Sequence, residues 1–333
     1  MNLKQINTLF IMFSLFHTIL SQNNNCTTSI SKSGNFTSLT FSCNGSSYPI
    51  LGENYLINPS QYDIIDFSNN IFAEIPIDLI CRFSNAYHIN LSRNKIKRVD
   101  DSIGQLKCLK KLKELNLSNN LIQILSPQDL NDDMSLILEY FDLSNNLIGY
   151  LDPLLFIKQS DLTQTRFPKL RYFSISGNKL TEFDLLTPLS LPNPNLYFDA
   201  SLNSIKTFKN VHKKSFLENP YFVDFNSPSR LVNLTNNQLT GFENEFLNEY
   251  GIESVSDFEV FISRISNYLM SNQNKPYNCK CPSFTQKSVD WFKQLRNINQ
   301  NLSFFQLKCN NINEKPFALN YSCGVRIFLI LAF

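Results

Sequence analysis

The chain has 333 residues, 43% of them hydrophobic and 17% charged, with a formal net charge of +2. That length could hold two domains, but the near balance of charge, with no Lys/Arg block beyond Lys107 to Lys113, does not imply a phosphate-binding surface. Only three histidines occur, and G-x-G-x-x-G, G-x-x-x-x-G-K-S/T and H-E-x-x-H are all absent, so hydrolase-type catalytic groups have little material and no enzyme activity, cofactor or metal site is expected.

The N-terminus carries Lys4, an apolar run from Thr8 to Leu20, then polar Ser21-Gln22-Asn23. This order reads as a secretory signal peptide over residues 1–21; the run is short for a membrane span, and an uncleaved signal anchor is the alternative. Export fits the eight cysteines, none of which lies in the leader. Cys26 and Cys43 flank S-I-S-K-S-G-N-F-T-S-L-T-F-S, which reads as a bridged hairpin within a cap of residues 22–61.

From Tyr62 a phrase returns seven times, starting at Tyr62, Ala86, Leu112, Leu138, Leu170, Asn195 and Ser229. Its fourth and sixth positions are apolar, from Ile65 and Phe67 to Val232 and Leu234, with the alternation of a short strand that buries one face. Its ninth position is always Asn: Asn70, Asn94, Asn120, Asn146, Asn178, Asn203 and Asn237. The phrase resembles L-x-x-L-x-L-x-x-N-x-L of the leucine-rich-repeat family. The resemblance implies an α/β solenoid over residues 62–244: a horseshoe with a parallel concave sheet and disulfide-bonded caps. It also implies that each Asn side chain bonds the backbone at the turn after its strand, so that the seven form a ladder.

The starts are 24, 26, 26, 32, 25 and 34 residues apart, and the extra length falls after Ile148 and Ile205, outside the strand phrase. Thr187 to Asn195, with Pro188, Pro192 and Pro194, reads as an extended segment. Lys107 to Lys113 reads as a solvated convex face. Cys81 and Cys108 occupy the twentieth and twenty-third places of adjacent repeats, either bridging them or standing as buried thiols.

Residues 245–323 follow the array. Ser256 with Glu259 fits a capping box, and Phe258, Phe261, Ile262, Ile265 and Leu269 recur at helical spacing. Cys279, Cys281, Cys309 and Cys323 then form C-x-C…C…C, which resembles the C-terminal cap of extracellular leucine-rich-repeat proteins. The resemblance implies bridges Cys279–Cys309 and Cys281–Cys323; a zinc site is the alternative, disfavoured by export and by the distance of His88 and His212 in sequence. The apolar tail 324–333 is too short to span a bilayer, and reads as a plain end, a degenerate anchor signal or the start of a lost span, so a membrane tether remains open.

Eight N-x-S/T sequons occur, at Asn25, Asn35, Asn44, Asn90, Asn116, Asn233, Asn301 and Asn320. Positions two, three, five, seven and eight of each phrase are expected to face out from the concave sheet. The third column contains Tyr140, Tyr172 and Tyr197 in succession and the second contains Arg171, an aromatic and Arg cluster of the kind that dominates interfaces; tyrosine packing among strands is the alternative. Glycans at Asn90, Asn116 and Asn233 would leave repeats four to six open. The candidate partner-binding residues are Tyr87, His88, Glu139, Tyr140, Arg171, Tyr172 and Tyr197. The expected function is a secreted or cell-surface recognition protein that binds a protein ligand, not nucleic acid, on its concave face, as the resemblance to adhesion and receptor ectodomains implies. A matrix component like the small leucine-rich proteoglycans is the alternative.

Overall fold

The computed structural model describes residues 26–33, 36–43, 58–99, 106–127, 137–157, 165–189, 191–210 and 231–238, with short stretches between 241 and 284. The leader, the tail, Cys279, Cys281, Cys309, Cys323 and the sequons Asn25, Asn35, Asn44, Asn301 and Asn320 lie outside the described residues.

Two antiparallel strands open the fold, β1 (Cys26–Ser33) and β2 (Phe36–Cys43). Ser33 pairs with Phe36, leaving only Gly34 and Asn35 between them, a favoured hairpin dipeptide. Each phrase then supplies a three-residue strand, inward at its centre: β3 (Ile64–Asp66), β4 (His88–Asn90), β5 (Glu114–Asn116), β6 (Tyr140–Asp142) and β7 (Tyr172–Ser174). Next come β8 (Glu182–Phe183), β9 (Tyr197–Asp199), β10 (Thr207–Phe208) and β11 (Leu231–Asn233). The last are β12 (Gly241–Phe242), β13 (Tyr268–Leu269) and β14 (Ser283–Phe284).

One sheet runs β1-β2-β3-β4-β5-β6-β7-β9-β11-β13, parallel from β2 onward; β8 pairs with β10 and β12 with β14. The register is strict. Ile65, Ile89, Leu115, Phe141, Phe173, Phe198 and Val232 stand opposite one another and are fully buried. Phe156, from the 3-10 turn Pro153–Phe156, packs on Phe167, Phe173 and Phe198 and so joins three successive repeats.

The asparagines stitch the repeats together. Asn146 Nδ2 donates to Leu143 O in its own repeat and to Leu117 O in the preceding one, both at 3.0 Å. Its Oδ1 accepts from Ile122 N–H at 3.0 Å. Asn94, Asn120, Asn178, Asn203 and Asn237 do the same. Asn70 reaches back to Cys43 O at 2.6 Å, tying the hairpin to the array. This shared bonding and the strict register make the described chain a parallel-sheet solenoid of leucine-rich-repeat type.

The fifth position forms a further series. Side-chain oxygens of Asp66, Asn90, Asn116, Asp142, Ser174, Asp199 and Asn233 each accept the N–H two residues on, which turns the chain at the end of the strand. At the eighth position φ is positive in every repeat: Asn69, Arg93, Asn119, Asn145, Gly177, Leu202 and Asn236.

The described helices are short, α-turns at Ile77–Ile80 and Leu186–Leu189 and 3-10 turns of three or four residues, so the α/β character expected from sequence is confined to such turns. The segment expected to be extended from Thr187 opens with the second α-turn, whose first turn tolerates Pro188 because that N–H has no helical partner. Cys26 is bonded to Cys43 and Cys81 to Cys108, and no described cysteine is free. Tyr250, fully buried, donates its hydroxyl to Asp184 and accepts from Leu185 N–H, each at 3.2 Å, anchoring the segment after the array.

Beyond the array, Ser254 and Asp257 close a capping box, each accepting the other's N–H; Glu259, expected to pair with Ser256, lies outside the described residues. Leu269, assigned to the helical stripe, lies in β13 against Asn233. Among the described residues no helix is long and apolar enough to cross a membrane.

Candidate functional site

Strand residues three and five are turned away from the core, so neighbouring repeats present side chains in columns spaced by about 4.8 Å. That spacing lets planar rings on adjacent strands stack. Tyr140 and Tyr172 lie with centroids 4.3 Å apart and planes 5° apart, and Tyr172 and Tyr197 follow at 5.7 Å and 29°. The hydroxyls are tied down at their outer ends. Tyr140 donates to Asp142 Oδ2 at 3.3 Å, and Tyr197 donates to Asp199 Oδ2 at 3.4 Å. Tyr197 also accepts from Asn233 Nδ2 at 3.2 Å.

Burial, and then the Asp142 carboxylate, push the Tyr140 phenol far above its ordinary range. Burial likewise raises Tyr172 and Tyr197. At neutral pH the column is therefore an uncharged, rigid row of phenols backed by carboxylates.

The second column carries an ion triad. Glu139 lies between Lys113, at 3.2 Å, and Arg171, at 3.7 Å. Next to Lys113, His88 Nδ1 on β4 meets Glu114 Oε2 on β5 at 2.6 Å, and this hydrogen bond holds the Glu114 carboxyl below the usual carboxylate range. Beside the triad a recess of about 260 Å3 opens among Glu139, Arg171, Lys169 and the rings of Pro168, Pro192 and Pro194. Proline walls lose little entropy when something docks against them.

Of the seven residues singled out from sequence, Glu139, Tyr140, Arg171, Tyr172 and Tyr197 form one contiguous patch over β6, β7 and β9. Tyr87 and His88 do not join it, because β5 intervenes. Leu196, placed outward by its column, is fully buried: the sixth phrase starts with Asn195, so Leu196 fills the inward place that Leu138 and Leu170 take elsewhere. The seventh position, also expected outward, is buried at Ser68, Ser92, Ser118 and Ser201, and so is the fifth at Asp142 and Ser174. Asp142, Asp199, Asn233 and Lys169 complete the patch and were not singled out. The recurrence of Asp, Asn or Ser at position five was the available signal for the first three.

Three sequons fall on this face. Asn116 on β5 stands directly opposite Asp142 of the patch, and Asn90 on β4 stands opposite Asn116, one strand farther out. Asn233 touches Tyr197, so the seventh repeat's sequon borders the tyrosine column.

No family model matches the chain, and no curated protein matches it. Among solved structures it is similar to the crystal structure of a TLR13–ssRNA13 complex, with 20% identity and a TM-score of 0.42 over 58% of this chain. The match spans 24% of that protein's chain. The fold assignment rests on the strand register and the asparagine bonds.

Proposed function

We propose that the protein is exported and binds another protein on the concave face of its sheet, across β6, β7 and β9. The observation that carries this reading is the tyrosine column, stacked and hydrogen-bonded before any partner arrives. Preassembled aromatics beside an Arg supply contact area at low entropic cost. Among the described residues the outward columns hold six carboxylates, Asp63, Asp66, Glu114, Glu139, Asp142 and Asp199, against three cations, Arg93, Lys113 and Arg171. That balance supports a protein partner over a polyanion such as nucleic acid.

Two disulfides in the described residues support an oxidising, extracellular setting. In this reading residues 1–21 direct export, 22–61 and 245–323 cap the array of 62–244, and Cys279–Cys309 and Cys281–Cys323 close the second cap. Binding of labelled protein to cells and to matrix extract tests the reading. Tyr172→Ala and Arg171→Glu should each weaken binding by about 2 kcal/mol, as loss of a central anchor does, while Asn90→Gln and Asn116→Gln leave it unchanged. Parent-like binding by both anchor variants, with binding abolished by a cap substitution, would refute it. Discrete self-assembly without a separate partner would favour the matrix role instead.

A further inference from the structure

We propose that the solenoid carries a second docking surface, on the rim just past the strands, and that it takes an acidic segment of a partner protein bearing large apolar side chains. After each ninth-position Asn the backbone enters another ladder between repeats. Leu121 N–H donates to Ile96 O and Leu147 N–H to Ile122 O, both at 2.8 Å, and Lys179 N–H to Ile148 O at 2.9 Å. The ladder holds tenth-position side chains in line and points Ile122, Leu125, Ile148 and Leu151 into the core. It leaves Leu121 and Leu147 each 37% exposed, Ile124 72% and Tyr150 48%. These are four of the six large hydrophobic side chains exposed among the described residues, and they fall in two adjacent repeats. Between Leu147 and Tyr150, Gly149 adds no side chain and the space beside it is open: nothing lies within 4 Å of where a Cβ would stand.

Charge selects the occupant. Exposed Lys95 and Lys97 flank the patch on the preceding repeat and Lys179 on the following one; of the carboxylates near Tyr150, those of Asp152, Asp184 and Glu182, the last is paired with Lys209. A two-fold arrangement with a second copy would set lysines against lysines, which opposes self-association. Anionic lipid is concentrated on cytoplasmic leaflets, so the export reading, on which this step rests, disfavours a membrane. The apolar centre is unsuited to a nucleic acid backbone. An acidic segment with apolar anchors satisfies both the patch and its margins.

The test uses the whole exported chain and a displayed library of random peptides. Selection should enrich peptides that combine Asp or Glu with at least two large apolar residues. Their affinity should fall about tenfold for Ile124→Glu, as for loss of one anchor, fall for Lys97→Glu, and weaken as salt is raised. Tyr172→Ala should bind them like the parent, which separates this surface from the concave one whichever way that one turns out. Ile124 is mostly exposed, so its variant should keep the parent's thermal midpoint; Leu147→Ser serves as a second variant. The proposal is overturned if no acidic–apolar peptide is enriched, or if enriched peptides bind both rim variants like the parent. It is equally overturned if Ile124→Glu abolishes self-association seen by sedimentation, or binding to phosphatidylserine vesicles, instead.

Discussion

Asn145 and Asn146 stand side by side, and replacing each by alanine probes a different cost. Asn146→Ala leaves the buried Ile122 N–H without its acceptor and takes from Leu117 O and Leu143 O one of the two amide donors each receives, so it should destabilise by about 1–3 kcal/mol in chemical denaturation. Exposure alone would make Asn145 neutral, but its φ of 54° sets alanine about 1–2 kcal/mol uphill, a strain Asn and Gly tolerate. The same left-handed turn recurs in every repeat, and the fourfold use of Asn at the eighth position, with Gly177 once, was a legible sign of it. Leu202 breaks the pattern, at φ 56° and 52% exposed. Leu202→Asn should therefore raise stability by about 1 kcal/mol while removing an exposed apolar side chain. An unchanged or lower denaturation midpoint would show that Leu202 packs against something of value.

At the scale of elements, the tyrosine column should govern alkaline behaviour. Free phenols ionise near 10.0, and burial raises Tyr140, Tyr172 and Tyr197 above that value. The unfolded chain then releases protons first, so the column's contribution is fully present below pH 10 and is lost as pH rises beyond it. Native protein followed by phenolate absorbance should show a late-titrating group of tyrosines that merges with the rest in denaturant and shrinks in Tyr140→Phe. The short elements show where sequence reading stopped. Ser254 with Asp257 fits the spacing of a capping box as well as Ser256 with Glu259 does, and nothing in one sequence singles out the pair whose bonds are seen at Ser254 and Asp257. The stacking of Tyr140, Tyr172 and Tyr197 was readable, because a strict repeat converts sequence position into a column. The Glu139 triad and the proline recess were harder to see, since the recess draws on Pro192 and Pro194, which lie outside the phrase.

For the whole molecule, stability in a stacked array is a sum of repeat and neighbour terms, so the ends matter most. β2 covers the open edge of β3 and supplies the carbonyl of Cys43 to Asn70. A chain that begins after Cys43 should unfold at lower denaturant and scatter light on standing, because an uncovered strand edge recruits other chains. Unchanged unfolding and clear solutions would mean that the hairpin is an appendage. The parallel sheet and the inward columns were legible at this scale. The rim surface was not, because Leu121, Ile124, Leu147 and Tyr150 read in isolation as ordinary apolar residues of a repeat.

The oxygen at position five has a consequence for sugar placement. Asp, Asn and Ser all satisfy that turn, and a hydroxyl residue two places on is already present in every repeat. A single Asp66→Asn, Asp142→Asn or Asp199→Asn change thus writes a new glycosylation acceptor without disturbing the backbone. A carbohydrate shield could be stepped along the sheet, strand by strand, as a ruler for locating whatever binds there.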